Sequence, residues 1–275
     1  MVGKLALIGG GFMGEAILSR LITAGVVAPS AVSVGEPVAE RRDTLTRQYQ
    51  VQAVADNLEA VADAAVVLLA IKPQQTEPVL AVLRGNLGRD TLVVSIIAGT
   101  ALSALTIALD HQQVVRAMPN TPATVGEGMT VWAATPVVSA AQLATVRAIF
   151  RAIGREIQVD GDRYVDMATA VNGSGPGYVF LVIEALIDAA VQLGLARPAA
   201  HELVVQTVLG SAALARDTGE HPAELRNRVT TPGGTTAAGL LAMEEGGLRA
   251  ALAHGVIAAY ERSVALGAGT QPNSR

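Results

Sequence analysis

"LALIGGGFMGEAILSRLITAG", residues 5–25, decides how the rest of the chain is read. A short apolar run, a triple glycine and an amphipathic helical stretch follow one another without a break, the order of a strand, a tight turn and a helix. Gly9, Gly11 and Gly14 stand in G-x-G-x-x-G register. In that register the first glycine permits the turn, the second lets backbone approach a pyrophosphate, and the third lets helix and strand pack closely. The helix N-terminus then faces the phosphates. Ile8, Gly9, Gly10, Gly11, Phe12, Met13 and Gly14 are therefore candidate dinucleotide-binding residues. A glycine-rich strand-to-helix turn with no ligand is the alternative.

Outward from this unit, β-branched runs alternate with helical stretches over the first hundred residues, the signature of βαβ units and a parallel sheet. Strands are expected at 4–9, 31–35, 51–54, 64–71 and 91–97, followed by two in "HQQVVRAMP" and "GMTVWAAT" and a last in "REIQV". "AVVLLAI" and "TLVVSIIA" are continuously apolar, as strands covered on both faces are. From about residue 163 only helical periodicity remains, and "DGDR" (160–163) marks the boundary. The expected architecture is an α/β Rossmann-like dinucleotide-binding domain, 1–161, followed by an all-α domain, 162–275. "YVFLVIEALIDAAVQLGLA", 178–196, reads as a helix buried on most of its circumference rather than a membrane span, because Glu184 and Asp188 interrupt it.

Composition narrows the function. The 275 residues are 51% hydrophobic and 16% charged, with 28 glycines and a net charge of −4, which supplies no basic footprint for nucleic acid. The absence of cysteine excludes disulfides and thiolate chemistry and suits a reducing cytoplasm, the expected location, and the N-terminal apolar run is too short for a signal-peptide core. The four histidines lie far apart in no metal-binding spacing, so no metal is expected.

Other candidates lie at the ends of the expected strands. Glu36, twenty-two residues beyond Gly14, is placed to accept hydrogen bonds from the adenosine ribose hydroxyls, which favours NADH, whereas Arg41 and Arg42 could reach a 2′-phosphate. Asn57 joins the cofactor set, as do Ala70, Ile71, Lys72 and Pro73 in "AIKPQQ" and Ala98 and Gly99 in "SIIAGT", whose small side chains leave room for a flat ring. "RAMPNTPATVGEG", 116–128, is either a rigid scaffold or a substrate wall, with Met118 and Asn120 as its candidate contacts. "NGSGPGY", 172–178, opens the long helix and contributes Ser174 and Gly175. "VTTPGGTTAAGL", 229–240, packs threonine hydroxyls and paired glycines into an uncharged stretch.

Together these motifs resemble, in order and over nearly the whole chain, the pyrroline-5-carboxylate reductase family. The resemblance implies reduction of a cyclic imine carboxylate, Δ1-pyrroline-5-carboxylate, to L-proline by NADPH or NADH. It implies that Thr231, Gly233, Gly234, Thr235 and Thr236 hold the substrate, with N–H groups at a helix N-terminus cradling the carboxylate and the Thr236 hydroxyl against the ring nitrogen as the catalytic contact. It further implies a homodimer built through the C-terminal helices, extending to a larger ring such as a decamer, with each site drawing on a neighbour's helical domain. Asn172 and Gly177 depart from the family's usual serine and alanine, and Thr231 from its serine. Glu36 stands where many members carry a small polar residue, which argues against strict NADPH preference. The alternatives are a reductase of the β-hydroxyacid dehydrogenase type and a non-catalytic NAD(P)-binding redox sensor.

Overall fold

A computed structural model describes residues 2–267. Among them, eight strands form one sheet in the order β3-β2-β1-β4-β5-β6-β7-β8: β1 (Leu5–Ile8), β2 (Val32–Gly35), β3 (Gln52–Val54), β4 (Val66–Leu69), β5 (Leu92–Ser95), β6 (Val114–Met118), β7 (Gly128–Ala134) and β8 (Gly154–Gln158). All pairings are parallel except β6 with β7. Because β1 is followed outward by β2 on one side and joined by β4 on the other, the strand order reverses beside β1. An open sheet binds ligands at such a switch point.

The central strands β1, β2, β4, β5 and β6 are buried at every position, as their unbroken apolar runs require. On one face they pack with α1 (Phe12–Thr23), α2 (Ala39–Tyr49) and α6 (Ala140–Ala152) through Ile17, Leu21, Leu45 and Phe150. The other face is covered by α3 (Asn57–Val61), α4 (Thr76–Leu83) and α5 (Leu102–Leu109) through Ala60, Leu80, Leu83 and Leu105. Outermost β8 is half-exposed.

The expected helices follow: α7 (Asp162–Ala168), α8 (Gly175–Gln192), α9 (Arg197–Thr218), α10 (Pro222–Arg228), α11 (Thr235–Glu245) and α12 (Leu248–Gly267). Packing divides the chain into two units, one running to Ser174 and resuming at Ala258, the other comprising Gly175–Ile257. Residues 162–174, which the sequence reading assigns to the helical part, thus pack with the sheet. Their tie is Arg116 of β6, buried at 1% exposure, which donates to Asp162 (2.8 Å) and Asp166 (2.5 Å). Asp162 also accepts the Leu102 N–H at the start of α5, and Ser263 of α12 donates to Asp166.

One expectation is corrected. Helix α8 is not buried on most of its circumference within a single chain: Phe180 is 60% and Leu181 66% exposed, and only Pro176 and Ile187 are buried. Its neighbour α9 buries only Ala200. Two adjoining helices cannot cover each other all round, so an apolar circumference stays open. The run Asp162–Gln192 is long and apolar enough to cross a membrane by length and composition. Its first turns, however, carry Asp162 and Asp166 in the ion pairs with Arg116.

The Arg116 cluster generates a stability prediction. Arg116→Ala removes the cation between two carboxylates, and loss of one partner of a buried pair costs about 3–5 kcal/mol. Because Asp162 and Asp166 keep 30% and 18% side-chain exposure, the loss falls at the low end, about 3 kcal/mol. Urea denaturation at pH 7 reads it as a lower midpoint; an unmoved midpoint excludes the cluster as the tie between α7 and the sheet.

Candidate active site

The glycine loop sits at the switch point between β1 and β4. Gly9 has φ +100°, and a Cβ there would lie 2.7 Å from the Ala70 carbonyl oxygen, so no side chain fits. Gly14 is closed by its own packing as well, since a Cβ would run into the Gly9 carbonyl and lie 3.3 Å from Ala70 Cβ. Gly11 differs: nothing approaches within 4 Å of a Cβ built on it. A turn without a ligand accounts for Gly9 and Gly14 but leaves Gly11 unexplained, whereas a ligand approaching over Gly11 accounts for all three. Gly11 is also the N-cap of α1 and supplies no side-chain cap, so the first-turn N–H groups stay available to an anion.

A cleft of about 400 Å³ opens here, lined by eight of the expected cofactor residues: Ile8, Gly9, Gly11, Glu36, Asn57, Ala70, Ile71 and Lys72. Gly35, Pro37, Val38, Ala55, Gln75 and Val79 complete its walls. Ala55 and Val79 add apolar wall and stand in no quoted motif, which is why sequence reasoning misses them. Gly10 faces Leu45 and Glu36 instead, and Phe12 projects 66% exposed from the start of α1. Met13 packs against the core, and Pro73 opens a short 3₁₀ turn after Lys72.

Glu36 is 8% exposed, and its carboxylate is held at both oxygens: Oε2 accepts from Gly10 N–H (2.9 Å) and Oε1 from Val38 N–H (3.0 Å). The two arginines are engaged too. Arg42 donates to the Glu36 and Pro37 carbonyls, and Arg41 donates through Nε to Gly10 O (2.7 Å) while pairing with Glu15.

Ala98 and Gly99 follow β5 at the same sheet edge. The room expected there is partly taken, because a Cβ on Gly99 would lie 2.9 Å from Leu266 Cβ of α12. Gly99, at φ +75°, thus admits the end of that helix.

Met118 and Asn120 are anchored by a residue the sequence singled out only as a departure, Asn172. Its Nδ2 donates to the carbonyls of Met118 and Met129, both 3.0 Å, and its Oδ1 accepts from Asn120 Nδ2 at 2.9 Å. Asn120 Oδ1 in turn accepts from Met129 N–H (2.9 Å). The two carboxamides interlock and clamp the end of β6 to the segment Thr169–Gly173, which is wound as a π-helix immediately before Ser174 and Gly175. Single-turn π segments recur at functional sites.

In the other unit, Gly233 takes φ +70° and Gly234 is the N-cap of α11, again without a side-chain cap. The turn is closed by Gly234 N–H donating to Thr231 O (3.0 Å). A side chain at Gly234 would strike the Thr231 hydroxyl. The first-turn N–H groups of α11, Thr235 and Thr236 among them, therefore open beside several hydroxyls with no cation in the motif.

Residues 162–266 match the family model described as pyrroline-5-carboxylate reductase dimerisation, and residues 4–99 the model described as NADP oxidoreductase coenzyme F420-dependent. The pyrroline-5-carboxylate reductase of Synechocystis is 49% identical over 264 residues, 96% of this chain and 98% of that one. The chain belongs to the pyrroline-5-carboxylate reductase family. The family's Escherichia coli member is 39% identical over the same share of each chain. A crystal structure of the Plasmodium falciparum member, with NADP bound, superposes with a TM-score of 0.88 at 30% identity, over 96% of this chain and 98% of that one.

For this member the Asn172 interlock yields the next prediction. Asn172→Ala leaves two carbonyls and the Asn120 amide short of a partner, costing about 1–3 kcal/mol. Asn172→Asp, of the same shape, turns an acceptor toward those carbonyls and costs more. Thermal denaturation at pH 7 should rank the parent above Asn172→Ala above Asn172→Asp; equal stability of all three removes the interlock.

Proposed function

We propose that this reductase converts Δ1-pyrroline-5-carboxylate to L-proline at the expense of NAD(P)H, the last step of proline formation. The observation that carries the reading is that each unit holds a helix N-terminus with glycine at the N-cap and no side-chain cap, α1 at Gly11 in one and α11 at Gly234 in the other. One suits a pyrophosphate and the other a small carboxylate.

The cleft fits a dinucleotide because Gly11 leaves open space over an uncapped helix start. When bound, NAD(P)H supplies the hydride that turns the C=N carbon into a CH₂ group. The glycine loop, Asn57, Ala70, Ile71, Lys72, Pro73, Ala98 and Gly99 hold and flank the dinucleotide. Between the two cofactors, NADH is favoured, since a 2′-phosphate would meet the Glu36 carboxylate.

The chain's remaining task is to bind and orient the imine. The N–H groups of Gly233, Gly234 and Thr235 receive the substrate carboxylate, while the Thr236 hydroxyl hydrogen-bonds the ring nitrogen. Met118, Asn120, Ser174, Gly175 and Thr231 form the walls. An imine that arrives already protonated carries the second hydrogen of the product on its nitrogen, so positioning does most of what the protein must do. Supporting this, no histidine lies in any of these motifs.

The exposed apolar face of α8 supports a homodimer through the C-terminal helices, extending to a ring such as a decamer. We place the enzyme in the cytoplasm without membrane or nucleic-acid partners, a reading to which the net charge of −4 lends support by offering no basic footprint for nucleic acid.

Purified protein mixed with Δ1-pyrroline-5-carboxylate should oxidise NADH faster than NADPH at 340 nm and form proline; no oxidation of either, with nucleotide still bound, overturns the assignment. Thr236→Val removes one hydrogen bond at near-constant volume and should lower kcat by roughly threefold to tenfold. Undiminished turnover takes Thr236 out of the reaction. Light scattering of the parent should give at least a dimer at micromolar concentration, and Leu181→Glu on α8 should weaken it; a stable parental monomer defeats the dimer.

A further inference from the structure

We propose that Glu15, a residue outside the dinucleotide cleft, sets cofactor preference by holding Arg41 against the glycine loop and away from a ribose 2′-phosphate. The inference rests on the reading that the cleft binds NAD(P)H.

Arg41 lies in the first turn of α2, directly after the cleft-lining segment Glu36–Val38. With Arg42, which is tied to the Glu36 and Pro37 carbonyls, it is one of the two cations near the end of β2, where the ribose is recognised. In this structure it is committed elsewhere. Its Nε donates to Gly10 O (2.7 Å), and its terminal nitrogen pairs with Glu15 Oε2 on the first turn of α1. The other Glu15 oxygen accepts from the Tyr49 hydroxyl at 2.9 Å, which fixes the carboxylate's orientation. Burial first, and then the bond to Glu15, holds the Tyr49 phenol above its ordinary value of 10.0, so it remains a donor at working pH. The Gly10 residue is thereby gripped on both sides, its N–H by Glu36 and its C=O by Arg41.

For Arg41 to turn toward a 2′-phosphate it must leave Glu15, and that loss is subtracted from NADP binding alone. NAD lacks the phosphate and needs no such movement. The pair is partly exposed, with side-chain exposures of 29% and 24%, so its contribution is that of a screened ion pair, worth about fivefold in affinity at most.

The test is calorimetric titration of the full-length protein with NAD⁺, NADP⁺ and adenosine 2′,5′-bisphosphate, the last isolating the phosphate end. Glu15→Gln should tighten NADP⁺ and the bisphosphate by about twofold to fivefold while leaving NAD⁺ unchanged. Glu15→Ala should act in the same direction, and adding Arg41→Met to Glu15→Gln should abolish the gain. A merely structural role for Glu15 would shift NAD⁺ and NADP⁺ together. An unchanged ratio, or a gain that survives Arg41→Met, overturns the role of Glu15 while leaving the reductase reading intact. A parent protein that binds none of the three ligands overturns both.

Discussion

The approach of Gly9 to the Ala70 carbonyl is the constraint on which the nucleotide end of the molecule depends. β1 and β4 are neighbours whose chains continue to opposite sides of the sheet, so the loops leaving them must separate, and the crevice between them is the cleft. A side chain at Gly9 would force those loops apart or lift α1 off the sheet. Either movement would displace the α1 N-terminus from the cleft mouth. Gly14 secures the same helix one turn later, and Glu36 and Arg41 then fix the intervening Gly10 through its N–H and its C=O. The loop is thus rigid before any ligand arrives, which reduces the ordering cost of binding.

Much of this was legible in the sequence because it is local. Strand runs such as "VVLLA", the glycine register and the turn before α11 each state their conformation within a dozen residues. Where the reading fell short, the determining contacts were long-range. Asn172 looked like a single departure in a motif, yet it bonds across 43 to 54 positions to Met129 and Met118. Arg116 sits in an apolar strand with no sign that Asp162 and Asp166 lie against it. The contact between Gly99 and Leu266 was likewise out of reach, since a glycine that admits a helix end and one that admits a ring have the same letter.

Helix α8 exposes a different limit. An all-round apolar helix in a sequence says only that its faces are to be covered, not by which chain. In a single chain it stays largely open, and residues 162–266, which contain it, match a family model described as pyrroline-5-carboxylate reductase dimerisation. Apolar residues facing a subunit partner and those facing a core obey the same periodicity, because both remove the same surface from water.

The two uncapped helix starts also suit the charge demands of the proposed reaction. A lysine or arginine could bind the substrate carboxylate more simply, but a full positive charge a few ångströms from a protonated imine would favour loss of that proton. A helix terminus presents only about half an elementary charge, spread over several N–H groups aimed at the anion. Threonine hydroxyls add hydrogen bonds and no charge. The glycine caps at Gly11 and Gly234 leave those N–H groups unspent on side chains, so under the proposed reading each anion would be met by directed dipoles, and the motif 229–240 would add no fixed positive charge beside the cationic imine.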